Sequence, residues 1–111
     1  MSILPKDGRI IMILEPVSGR FGVHKLMAQL SSNALGTNWN GIEPITMVTF
    51  NKNRTRCKII SVDSHGVTYC VRILNVGTFD VTLAEGLSPR GINRTVLERL
   101  MLDGSYNISQ T

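Results

Sequence analysis

Four cations alternate with neutral residues in the middle of the chain, and they are the side chains best suited to contact a phosphate group. Lys52, Arg54, Arg56 and Lys58 are separated only by single Asn, Thr and Cys residues. Positive side chains at this density raise the local potential and favour a nucleic-acid backbone. The same pattern is also typical of a solvated edge strand, in which Lys and Arg discourage association between sheets. Both interpretations stay open at this point.

Residues that could carry catalysis or bind a metal ion are scattered. The eight carboxylates fall mostly at predicted turns and helix caps, whereas metal-dependent strand transfer needs them clustered. We expect Asp63 to open a turn by bonding the backbone that follows it, which leaves His65 exposed. The two cysteines and two histidines form neither a C-x-x-C nor an H-x-x-x-H pair. The sequence therefore predicts a protein that is not an enzyme and holds no metal or cofactor.

The cations lead into a predicted β-hairpin. Residues 54–62 change from basic to β-branched and apolar, and a similar run, 67–74, follows the turn at 63–66. A four-residue turn predicts the cross-strand pairs Val62 with Val67, Ile60 with Tyr69, and Cys57 with Arg72. The face predicted to lie in the core carries Ile60, Val62, Val67, Tyr69, Val71 and Ile73. The two cysteines then lie diagonally on the other face, and we expect them to remain thiols in a reducing cytosol.

Apolar spacing predicts the elements of the N-terminal half. Residues 9–14 form a short apolar run, typical of a strand buried on both faces. Helical spacing follows at Val23, Leu26, Met27 and Leu30. Ser18 is the candidate N-cap, although two nearby glycines favour a later start. A turn-rich loop over 36–44 leads to a third predicted strand at 45–50.

After the hairpin, the pattern predicts a short strand at 79–83 and a loop at 86–91. The last predicted element is a helix over 96–102, capped by Thr95 with Glu98 as its reciprocal partner and ended by Asp103 and Gly104.

Length and composition predict one domain spanning residues 1–111, with 107–111 as a loose tail. The chain has 111 residues, 42% of them hydrophobic, and a net charge of +4, which is ordinary for a globular protein that favours acidic partners modestly. We expect an α+β fold: a mainly antiparallel twisted sheet of four to five strands with a central hairpin, one amphipathic helix packed on the sheet, and a short C-terminal helix. No apolar run approaches the roughly 20 residues of a membrane span, so we expect a cytoplasmic protein.

The chain resembles the TnpB-type accessory protein encoded by the second reading frame of the IS sixty-six insertion-sequence family. The resemblance covers most of the chain and rests on Pro16, Arg20, Leu26, Phe50, Arg54, Lys58, Asp63, Gly66, Leu74, Gly77, Phe79 and the closing L-E-R-L-M-L-D-G. The chain departs from the family at Ser61 and Val62, where relatives carry aromatic residues, and at Ile73, Val76 and Thr78, where they carry basic ones. The resemblance implies a role in moving a bacterial insertion element beside a separate transposase that carries the catalysis.

Two functions follow as hypotheses. In the first, the protein binds DNA through phosphate contacts that are largely independent of sequence, and the residues expected to make them are Arg20, Lys52, Arg54, Arg56, Lys58 and Arg72, with Lys25 as a further candidate. In the second, the protein is an adaptor that docks on the transposase or on itself through Trp39, Phe21 or the last helix. The sequence defines neither a DNA target nor an oligomeric state.

Overall fold

The structure, a computed structural model, describes residues 8–103 and contains a five-stranded sheet with a helix on each face. In chain order the elements are β1 (Arg9–Met12), α1 (Val23–Ser31), β2 (Ile45–Phe50), β3 (Arg56–Asp63), β4 (Gly66–Ile73), β5 (Arg90–Gly91) and α2 (Arg94–Asp103). The strand order across the sheet is β4-β3-β2-β1-β5. All neighbouring strands are antiparallel except β1 and β2. The predicted α+β class is confirmed.

Strand β1 lies between β2 and β5 in the sheet. Helix α1 connects β1 to the parallel strand β2. A parallel pair needs such a crossover because the first strand ends at one end of the pair and the second strand begins at the other. Ile11 packs with Leu26 and Leu30 of α1, whereas Met12 packs with Leu97 on the other face. The prediction of a strand buried on both faces is confirmed, although the strand ends at Met12 rather than at Leu14.

The predicted hairpin register is confirmed. Val62 pairs with Val67, Ile60 with Tyr69, and Cys57 with Arg72. The Oδ1 atom of Asp63 accepts hydrogen bonds from the backbone N–H groups of His65 at 2.8 Å and Gly66 at 3.1 Å, as expected for an aspartate that opens a turn. Cys57 is buried, Cys70 is half-buried, and both are free thiols.

The predicted core face of the hairpin is wrong in part. Ile59 and Ile60 are both buried because β3 is an inner strand covered on both faces. On the edge strand β4, by contrast, Val67, Val71 and Ile73 are 47%, 41% and 53% exposed. Helix α1 has nine residues, a length of only about 14 Å, and of β4 only Tyr69 packs against the apolar cluster that this helix covers.

The segment after the hairpin also differs from the prediction. Residues 79–83 form no strand; Phe79 and Val81 are buried beneath α2, and single hydrogen bonds hold this stretch, such as Phe79 N–H to the Arg54 oxygen at 2.7 Å. The fifth strand lies instead at Arg90–Gly91, within the predicted loop, and pairs with β1. Two residues are too few to show the alternation that identifies a strand in a sequence.

The predicted caps of both helices are wrong, whereas the later start of α1 favoured by two nearby glycines is confirmed. Helix α1 starts after Gly22, which makes no side-chain cap, and Ser18 instead accepts a hydrogen bond from the Arg20 N–H at 3.2 Å. At the start of α2 the Val96 N–H donates to Asn93 Oδ1 at 2.9 Å, so Asn93 is the cap and Thr95 is not. Glu98 pairs with Arg94 at 3.0 Å rather than closing a capping box. The predicted stop at Gly104 and the predicted tail lie outside the described residues.

Candidate nucleic-acid interface

Lys58 connects the hairpin to the loop that precedes α1. Strand alternation places its side chain on the α1 face of β3, where its ammonium group donates to the main-chain oxygens of Gly19 at 2.5 Å and Phe21 at 2.7 Å. Burial lowers the pKa of Lys58, and the positive charge of Arg56 lowers this pKa further. The Lys58 side chain therefore stabilises the contact between β3 and this loop, and it is not an exposed phosphate ligand.

The turn between β2 and β3 is organised by Asn51. Its Oδ1 accepts hydrogen bonds from the backbone N–H groups of Thr55 at 2.9 Å and Arg56 at 3.0 Å, and its Nδ2 donates to the Thr55 hydroxyl at 3.0 Å. Lys52 and Asn53, at the tip of this turn, are exposed. The turn thus presents one ammonium group and one amide to solvent on a backbone held by side-chain hydrogen bonds.

The loop and the turn lie side by side. The Val17 N–H donates to the Phe50 oxygen at 2.8 Å, and a Cβ atom placed on Gly19 would lie 3.7 Å from the Cβ of Asn51. An open cleft of about 370 Å³ separates the two segments, and its lining comprises Pro16, Val17, Ser18, Gly19, Asn51, Lys52 and Asn53. None of these lining residues is acidic, and the exposed side chains of Lys52 and Asn53 lie at the cleft.

Exposed cations lie on the loop, in the first turn of α1, in the turn and at the start of β3, and we refer to Arg20, Lys25, Lys52 and Arg56 together as the loop-turn surface. Arg20 lies between the two residues whose oxygens Lys58 binds. Lys25 lies over the ring of Phe21, with its nitrogen 5.4 Å from the ring centre. Within residues 8–103, no carboxylate forms an ion pair with any of the four. Their charges are therefore available to an external anion.

The structure places the remaining predicted cations elsewhere, so the six residues expected to contact DNA do not share one surface. Arg72 is opposite Cys57 in the ladder, which places it on the α2 face, and its guanidinium donates to the Leu102 oxygen at 3.3 Å. The Arg54 guanidinium donates to the Val81 oxygen at 3.3 Å. Arg54 also adopts a left-handed backbone conformation, with φ of 59°. Strand alternation separates Arg72 from Arg56, and the confirmed register already implies that separation.

The apolar residues considered as adaptor anchors contact the protein's own core. The Trp39 Nε1–H donates to the Glu43 oxygen at 2.8 Å, and the half-buried ring packs against the cluster beneath α1, as does Phe21. On the last helix, Leu97 and Leu100 are buried, and only Leu102 is largely exposed. These residues stabilise the fold and do not form a contiguous docking patch.

Several charged groups make internal contacts. Arg9 pairs with Glu43 and also donates to the Thr37 and Asn38 oxygens.

Among residues 8–103, no three His, Cys, Asp or Glu side chains lie close enough together to hold a metal ion. Neither α1 nor α2 is long and apolar enough to cross a membrane, and no other helix occurs in the described part of the chain.

Comparison with protein-family models, with curated proteins and with solved structures finds no match to this chain. The resemblance to transposition accessory proteins therefore stays a prediction from the sequence.

Proposed function

We propose that this protein is a non-catalytic, nucleic-acid-binding accessory protein that contacts phosphate groups through the loop-turn surface. The observation that supports this most directly is the pair of hydrogen bonds from Lys58 to the Gly19 and Phe21 oxygens. These bonds hold the loop carrying Arg20 beside the strand carrying Arg56 and the turn carrying Lys52. Together with the hydrogen bond from the Val17 N–H to the Phe50 oxygen, they fix the loop against the turn.

The electrostatics of the loop-turn surface favour an anion. The start of α1 adds a partial positive charge to that of the four cations. Gly22 makes no side-chain cap there, and the first turn contains no acidic residue. The unbonded N–H groups at a helix start carry a partial positive charge. Backbone and arginine donors of this kind are the usual phosphate ligands of proteins that bind DNA.

The chemistry of the surface favours a duplex backbone over unpaired bases. Single-strand binding uses exposed aromatic rings on which bases stack, but the one aromatic residue at this surface, Phe21, is half-buried beneath Lys25. Asn53 is an exposed side chain that could read a base edge, and one such group gives little specificity. We therefore propose affinity that depends on salt and only weakly on sequence.

Duplex binding measured over a salt series tests this proposal. Four phosphate contacts predict a slope of log K against log salt concentration of about −3 to −4. The double variant Arg20→Ala and Arg56→Ala should reduce the slope by about 2 and weaken binding at low salt. Arg56→Ala alone and Arg72→Ala are the matched pair, since each removes one guanidinium charge and the two lie on opposite faces. Equal losses for these two single variants, or no binding at low salt, would overturn the proposal.

The biological setting that we propose is transposition of a bacterial insertion element, in the cytoplasm and beside the element's transposase. It rests on the residues that resemble the IS sixty-six accessory proteins, of which Lys58 and Asp63 have defined structural contacts here. Co-purification with the transposase from the same element tests the setting separately from DNA binding. The adaptor function is the alternative, and it predicts co-purification without any salt-sensitive shift of a duplex.

A further inference from the structure

The outer side of β4 is an open sheet edge. β4 is the last strand in the sheet order, and no described strand pairs with its outer side. Its eight residues contain no proline, no bulge interrupts its pairing with β3, and Arg72 is its only charged residue. Edge strands in natural proteins are commonly shortened, charged or bent to prevent pairing. The opposite edge, β5, has two residues, whereas β4 remains long and nearly neutral.

The register identifies the backbone groups that are left unpaired. The Leu74 N–H donates to the Thr55 oxygen at 2.9 Å, and in an antiparallel ladder alternate residues point their N–H and C=O groups toward the same neighbour. The even-numbered residues of β4 therefore bond to β3. The odd-numbered ones direct their backbone groups outward, and these are Val67, Tyr69, Val71 and Ile73.

The same four residues form an apolar row on the α1 face. They lie opposite Val62, Ile60, Lys58 and Arg56 of β3, and Val67, Val71 and Ile73 keep between 41% and 53% of their surface exposed. Unpaired backbone groups and exposed apolar side chains thus occur at the same positions. Another β-strand placed alongside β4 would form hydrogen bonds with these backbone groups and bury these side chains.

We propose that two copies of this chain pair through their β4 strands, antiparallel and about a two-fold axis, to form one continuous sheet. A regular ladder requires outward-facing residues to oppose each other. The register with complete overlap places Val67 opposite Ile73 of the second copy and Tyr69 opposite Val71. Each pairing occurs twice, and Cys70 lies on the axis opposite Cys70 of the second copy.

Charge favours this register and a second copy as the occupant. Arg72 then faces Thr68 rather than the other Arg72, whereas moving the axis to Arg72 would oppose two guanidinium groups and shorten the ladder. Arg56 and Lys58 occupy one end of β3, so the two-fold axis places the cations of the two copies at opposite ends of the interface. The edge is therefore complementary to itself in hydrogen bonding and apolar surface, its cations do not oppose one another across the axis, and the dimer does not depend on nucleic-acid binding.

Cysteine cross-linking tests the register. A pair on the axis at Cys70 is not hydrogen-bonded, with Cα atoms about 4.5 Å apart, within the range of about 4.4–6.8 Å that a disulfide spans. Mild oxidation should give a covalent dimer in the parent protein and in Cys57→Ala, but not in Cys70→Ala. Absence of this cross-link in a protein that dimerises would overturn the proposed register.

Sedimentation over micromolar to near-millimolar concentrations tests the interface. The parent protein should reach the mass of two chains. Val71→Lys should weaken dimerisation by about tenfold or more, because it places a charge within the apolar row. Val76→Lys adds the same charge at a residue outside the strand that is 91% exposed, and it should dimerise like the parent. Circular dichroism establishes that each variant is folded. A parent protein that stays monomeric, or equal effects of the two lysines, would overturn the proposal.

Discussion

The ammonium nitrogen of Lys58 lies 2.5 Å from the main-chain oxygen of Gly19, and this contact joins the central hairpin to the loop before α1. One basic residue of the hairpin thereby helps to position another. Arg20 lies between Gly19 and Phe21, whose oxygens Lys58 binds. Among the cations of the hairpin, Lys58 therefore stabilises the fold, whereas the exposed Arg56 is available to a ligand.

Replacing Lys58 with Met should lower the free energy of unfolding by about 1–3 kcal/mol, because two main-chain oxygens lose a charged donor. Urea denaturation measures this loss. Lys58→Arg keeps the charge and should lose less. A Met variant as stable as the parent, with unchanged duplex affinity, would show that Lys58 does not organise the loop.

Replacing Asn51 with Ala should destabilise the protein by about 1–3 kcal/mol, since the Thr55 and Arg56 N–H groups lose their acceptor. Asn51→Asp is the matched variant: it keeps the acceptor oxygen and loses the Nδ2 bond to the Thr55 hydroxyl. We expect thermal denaturation to rank the parent first, the Asp variant second and the Ala variant third. An Ala variant that matched the Asp variant would exclude the acceptor as the stabilising group.

Thr46 and Ser61 form a buried pair whose hydroxyl oxygens lie 2.8 Å apart, with 3% and 2% of their surfaces exposed. Thr46→Val or Ser61→Ala alone should cost about 1–3 kcal/mol, because each leaves the other hydroxyl buried without a partner. The double variant should cost less than the sum of the two. A double-mutant cycle from denaturation curves measures the difference, and strict additivity would contradict a direct interaction.

Burial raises the pKa of the Cys57 thiol above its ordinary value of 9.0. Below that pH both folded and unfolded thiols stay protonated, so Cys57 contributes no pH dependence. Above it the unfolded chain loses the proton first, and stability should fall by up to about 1.4 kcal/mol per pH unit. The pKa of Lys58 is lowered in the folded chain, so the folded chain loses this proton before the unfolded chain does. Lys58 therefore raises stability as the pH approaches the ordinary lysine pKa, which is opposite to the effect of Cys57.

Comparison of the parent with Cys57→Ala isolates the thiol contribution. The variant should be less stable at neutral pH, since it removes buried apolar volume, but its stability should fall less steeply above pH 9. Denaturation curves at intervals across the alkaline range measure both slopes. Parallel slopes for the two proteins would contradict a buried, protonated Cys57.

The hairpin was predictable because its signals are local. The turn residues at 63–66 determine the loop length, and the loop length determines every pair from Val62 with Val67 onward. Ile45–Phe50 was identified for the same reason, as a continuous β-prone run. Alternation along such strands also determines that Arg72 and Arg56 point to opposite faces, yet both were predicted to contact DNA.

Features that depend on distant partners were not predictable. β5 exists because β1 offers backbone groups to Arg90 and Gly91, and its two residues show no pattern of their own. The exposure of Val71 depends on how far α1 extends across the sheet. The contacts of Lys58 with the loop depend on where a crossover connection lies, which spacing along the hairpin does not show.

The position of β1 has a consequence for synthesis on the ribosome. Ile11 needs Met47 as its neighbour on one side and Gly91 on the other, so β1 is synthesised before both of its partner strands. Until Gly91 has been synthesised, one side of this apolar strand is unpaired. Ribosome-associated chaperones that shield such segments are therefore expected to matter more for β1 than for the locally paired hairpin.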